Sequence, residues 1–109
     1  MIHGEKHYKE SIDQIILNGV IRWQKHALQR MMERSISIAD VKRAVFSGII
    51  IESYEDDKPY PSFLIADIGV DKALHVVAAF DFVNKICYII TAYIPERDYF
   101  EADLITRRK

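Results

Sequence analysis

The chain holds one cysteine, three prolines and four glycines in 109 residues, and each scarcity closes off a class of protein. A lone thiol, Cys87, excludes an intrachain disulfide framework and fits a reducing compartment, so the expected location is the cytoplasm. Few prolines and an apolar fraction of one half exclude a disordered or fibrous chain. No apolar run approaches the ~18–20 residues that a membrane helix needs, and the start MIHGEKHYKE has no hydrophobic signal core, so no membrane partner is expected. Phosphate-loop, dinucleotide and zinc-helix motifs are missing too, and neither a cofactor nor a metal site is expected. A net charge of −1 excludes a broadly basic nucleic-acid binder.

The charge that is present is unevenly spread. From Arg22 to Arg43 there are six basic residues against two acidic ones. From Ile50 to Asp71 there are six acidic residues against one lysine, and the chain ends in Arg107-Arg108-Lys109. Either a basic half forms a local anion site beside an acidic hairpin, or these are two solvated faces of opposite sign.

Apolar spacing predicts a helix from about Glu5 to Asn18, with Tyr8, Ile12, Ile15 and Ile16 on its inner side and Gly19 as the residue that ends it. A second helix is expected over Gln24–Glu33. At 100° per residue it sets Ala27, Leu28, Met31 and Met32 on one side and His26, Arg30, Glu33 and Arg34 on the other. Ser37 with Asp40 three residues on reads as a capping box, flanked by an Ile36–Val41 staple. The helix so started, Ile38–Ser47, is expected to bury Ile38, Val41, Ala44 and Val45 and to end at Gly48. From Ile49 the period changes to strands: Ile49–Glu55, Ser62–Ile68, Ala73–Phe80 and Ile86–Ile94, with Pro95 as the stop. A short helix over Glu96–Leu104 would close the chain. The expected fold is α+β, with helices packed on a four-stranded antiparallel sheet.

Two polar groups stand out. His26, Arg30 and Arg34 form an imidazole–guanidinium stripe, which suits phosphodiester handling and equally describes a solvated helix face. His75 lies in the apolar strand ALHVVAAF. If Asp81 pairs with Lys85 across a three-residue loop, His75 falls opposite Thr91 with Tyr93 one pair further on. That set is either a satisfied buried network or an acid–base site held by hydroxyls. Metal-free RNA cleavage would need a base for the 2′-OH, an acid for the leaving oxygen and cations on the phosphorus oxygens. His26 and His75 within about 10 Å across one open cleft would allow it. Of the remaining candidates, His3 and His7 have a chelating spacing without a completing carboxylate. Glu55-Asp56-Asp57 reads as a solvated hairpin tip, and Cys87 as an inert buried thiol.

Several ordered motifs carry a resemblance. They are H-A-x-x-R-M-x-x-R-x-I-S-x-x-D-V (His26–Val41), G-x-I-I-E-x-Y (Gly48–Tyr54), Pro-Tyr-Pro (Pro59–Pro61), L-H-V-V (Leu74–Val77) and I-T-A-Y-x-P (Ile90–Pro95). The chain resembles the domain of unknown function 4258 family of small bacterial and archaeal proteins. That family is similar to the RelE-like and barnase-like folds, many of which are ribonuclease toxins. At 109 residues a single α+β domain over 1–109 is expected from length, and the resemblance implies a family core at 21–99, with an N-terminal helix (1–20) outside it and a tail at 100–109. It also implies a toxin-like, metal-independent endoribonuclease of a toxin–antitoxin system, with His26, Arg30, Arg34, His75, Thr91 and Tyr93 as the catalytic set. RNA or the ribosome, a cognate antitoxin protein and a second copy of the chain are the implied partners. A non-catalytic binding or interaction module of the same fold is the alternative, and the slightly acidic balance weighs against tight RNA binding.

Overall fold

The computed structural model describes residues 2–68 and 73–95, with side chains from Tyr8 onward. The expected closing helix over Glu96–Leu104, the basic tail, residues 69–72 and the side chains of His3 and His7 lie outside the described residues. The order is α1 (Ile2–Asn18), β1 (Val20–Trp23), α2 (Lys25–Glu33), α3 (Ile38–Ser47), β2 (Ile49–Tyr54), β3 (Ser62–Ile68), β4 (Ala73–Asp81) and β5 (Ile86–Tyr93). No described helix is long and apolar enough to cross a membrane.

The expected four-stranded antiparallel sheet is corrected by β1. The sheet has five strands in the order β1-β5-β4-β3-β2, and β1 runs parallel to β5, from Val20 beside Ile86 to Trp23 beside Ile89. The other neighbouring pairs are antiparallel. Four residues are too few for an alternation signal to be read in sequence. β1 pairs along the edge of β5 that β4 leaves free, and α2, which follows it, packs against β5.

Helices and sheet meet on one face. Ile12 and Ile15 of α1, Ala27 and Met31 of α2, and Val41, Ala44 and Val45 of α3 close over Phe63, Ile65, Val76, Ala78, Phe80, Cys87 and Ile89. Burial of this kind contributes about 25 cal/mol per Å² of apolar surface and is the main force holding the layers together. The apolar stripe of α2 is narrower than its sequence suggests. Ala27 and Met31 are buried, whereas Leu28 is 38 % and Met32 82 % exposed. Ile38, the first residue of α3, is likewise 49 % exposed and does not join the core it was expected to enter.

Local signals around α3 hold. Ser37 Oγ accepts from Asp40 N, and Asp40 Oδ2 accepts from Ser37 N. Ile36 and Val41 are both buried. At the end of α2 a Schellman turn forms without glycine. Ile36 N donates to Met31 O and Ser35 N to Met32 O, with Ser35 left-handed at φ 57°.

The two glycines expected to end α1 and α3 do stand at those ends, Gly19 N donating to Ile15 O and Gly48 N to Ala44 O, but without a left-handed turn. Neither has positive φ; Gly48 is extended at φ −79°. A Cβ at Gly48 would sit 2.4 Å from Ala44 O and 2.7 Å from Ala66 O, and one at Gly19 would sit 2.4 Å from Lys85 O. Close backbone approach between helix end and sheet selects them.

Candidate functional site

On the face away from the helices, side chains from neighbouring strands line up in rows across the sheet. One row is Ala66, His75 and Tyr93, from β3, β4 and β5. A second is Leu64, Val77 and Thr91. His75 therefore pairs with Tyr93, not with Thr91, which lies opposite Val77. The shift has two causes. The β4–β5 hairpin has a four-residue loop, closed by Asp81 opposite Ile86, instead of the expected three. Beyond it, Ile90 bulges between the Ala78–Ile89 and Val77–Thr91 pairs, which moves every later pair by one. The expectation that His75, Thr91 and Tyr93 share a face survives, because the two offsets sum to two residues.

His75 Nδ1 lies 3.3 Å from Tyr93 Oη, and the two rings meet edge to face at 5.4 Å. His75 is completely buried, at 0 % exposure, flanked by Leu64 and Ala66 at 1 % and 2 %. Hydrogen-bonded and without solvent, the imidazole holds the sheet face together.

Arg34 has a structural task. Its Nη1 donates to Ala92 O at 2.8 Å, on the edge of β5 past the point where β1 stops. The guanidinium fills the place of the missing ladder donor. His26 and Arg30 stand one turn apart on the exposed side of α2. His26 is exposed and His75 wholly buried, and the six expected residues split into a surface pair, an edge contact, the buried His75 with half-buried Tyr93, and a half-buried Thr91 in the next row.

A groove of about 480 Å³ opens elsewhere on the same sheet face, lined by Gln24, Asp57, Lys58, Pro59, Tyr60, Ser62, Ala79, Tyr88 and Ile90. Its origin is a third cross-sheet row: Tyr54, Ser62, Ala79, Tyr88 and Arg22. Two small residues between large ones leave a trough. Tyr60, from the loop before β3, stacks on Tyr88 with ring centroids 5.4 Å apart and planes 6° from parallel. The Asp81 carboxylate beside Tyr60, and Tyr88 next, push the Tyr60 phenol above its usual value. Asp81 itself is held below the usual carboxylate range, chiefly by the Asn84 side-chain and backbone donors. Sequence reasoning missed this site. Its one visible signal was Pro59-Tyr60-Pro61, since Tyr88 and Ala79 meet only through strand pairing.

Cys87 is buried, and desolvation pushes its thiol up to about 12, so it is not a nucleophile in this state. Asp57 accepts from Ser62 Oγ, which ties the acidic hairpin tip to the start of β3.

The geometry defines an α+β domain with one helix-covered sheet face and a second face that carries the groove. The chain belongs to a family described as Domain of unknown function (DUF4258), whose model matches residues 23–94. That span leaves α1 outside and takes in β2 to β5 with both central helices. No curated protein and no solved structure matches the chain.

Proposed function

We propose that this domain is a non-catalytic module that binds RNA through the cationic border formed by β1 and α2. The carrying observation is a contrast in exposure: His75 is sealed from solvent, while Arg22, Lys25, His26 and Arg30 are exposed. Among the described residues, Arg22, Lys25 and Arg30 have no carboxylate within ion-pair distance. Cations left unneutralised on one border of a weakly acidic protein favour a local polyanion. Titration of labelled RNA into the protein between 50 and 200 mM salt tests this. Binding should weaken with salt, and Arg30→Ala should reduce the logarithmic salt slope by about one. Salt-independent binding, or none at 50 mM salt, removes the reading.

A metal-independent endoribonuclease of the toxin–antitoxin kind is the second reading. The His75–Tyr93 pair favours it, since an imidazole and a phenol in contact are the parts of an acid–base couple. It requires the imidazole to reach a phosphodiester, which its burial opposes. RNA cleavage in EDTA that disappears in both His75→Ala and Arg30→Ala would make this reading the first. The same assay decides between them, because the module predicts intact RNA.

A further inference from the structure

We propose that the groove between Tyr88 and the 57–60 loop is a binding pocket for one unpaired base of single-stranded RNA. The inference rests on the RNA reading and gives that ligand a second, base-directed contact. Three features of the groove support it.

The first is shape. Half-buried Ala79 leaves the floor beside Tyr88 without bulk, with Ser62 tied to Asp57 behind it, so a flat ring can lie against the sheet there. The volume, about 480 Å³, falls in the range of small-ligand sites, roughly 300–1,000 Å³.

The second is the aromatic wall. Tyr60 and Tyr88 are stacked on each other and both are half-buried, so the pair is a braced platform with little rotational freedom left to lose on binding. The Asp81 carboxylate takes two backbone N–H groups and the Asn84 amide, and its hydrogen bond with Tyr60 holds that side chain. Bases stack on such faces in single-stranded nucleic-acid sites, with little dependence on sequence.

The third is the rim. Gln24 borders the groove, and its side chain is not used to cap α2. Its amide offers both a donor and an acceptor to a base edge. Lys58 lines the groove next to Asp57, whose carboxylate is engaged by Ser62, and Arg22 stands outside the lining as the cross-strand neighbour of Tyr88 on β1. A duplex cannot present a base face to this trough, so the site selects unpaired RNA. The floor row is four residues along β4 from His75, roughly 13 Å at 3.3 Å per residue. The groove is thus separate from the His75–Tyr93 pair.

Fluorescence anisotropy with a labelled single-stranded RNA octamer and a matched RNA hairpin duplex tests the pocket. Tyr88→Ala should weaken octamer binding about 5- to 150-fold, the range for losing one stacked base, and Tyr88→Phe should restore it. Ala79→Leu fills the trough beside Tyr88 while leaving both rings in place and should weaken the octamer similarly, with duplex binding unchanged. Melting curves of each variant exclude loss of fold. If the octamer binds and Arg30→Ala weakens it, while Tyr88→Ala and Ala79→Leu do not, the groove is overturned and the RNA reading stands. If the wild-type chain binds neither RNA, both fall.

Discussion

Replacing His75 by alanine separates a structural from a catalytic histidine. The side chain is at 0 % exposure and its Nδ1 contacts Tyr93 Oη at 3.3 Å, so truncation removes a packed ring together with that contact. The void and lost contacts correspond to a large-to-small core change, about 2–4 kcal/mol, and the hydrogen bond accounts for about 1 kcal/mol of it. A domain of this size would lose roughly 8–20 °C in Tm. Urea and thermal melts followed by Trp23 fluorescence measure it. A double-mutant cycle with Tyr93→Phe should return a coupling of about 0.5–1.5 kcal/mol. A stability loss under about 0.5 kcal/mol, with RNA cleavage abolished, would refute the structural assignment. That outcome would mean the imidazole is spare in the folded state and is used in chemistry.

Other outcomes follow from the same geometry. Gly48→Ala should cost about 2–4 kcal/mol, because its Cβ would meet two backbone carbonyls under 3 Å, whereas Ser35→Gly should stabilise by up to about 1 kcal/mol by relieving a left-handed serine. Urea midpoints order the two, and the reverse order would contradict the assigned cap geometry. Asp81 has a folded-state pKa below its ordinary value, so its contribution is present above the unfolded pKa and is lost as pH falls through the lower folded value. The difference in urea midpoint between pH 6 and pH 3 should therefore shrink in Asp81→Asn. An undiminished difference would place the acid sensitivity in other carboxylates.

Much of the candidate site was illegible in the linear chain for a specific reason. The stripe of His26, Arg30 and Arg34 is readable from helical spacing, but its meaning is not. Arg34 differs from its neighbours because Ala92 O, 58 residues away, lacks a strand partner. The groove depends on three strand registers acting together, and one of them contains the Ile90 bulge. No local pattern announces a row such as Ser62–Ala79–Tyr88. The family core at 23–94 includes all of these positions, though its description assigns them no role.

What the sequence by itself determined was local: α3 with its Ser37–Asp40 box, the Ile36–Val41 staple, the apolar faces of α1 and of β3 to β5, and a buried Cys87. These follow from interactions within a few residues or from periodicity, which any chain with this order would keep. Tertiary structure alone decided the fifth strand and its parallel direction, the pairing of His75 with Tyr93, and the use of Gly19 and Gly48 for close approach. It also decided that His75 would be sealed while His26 stayed exposed. Each of these is settled by which backbone edge or side chain arrives from a distant part of the chain, and that information is not carried by neighbours in sequence.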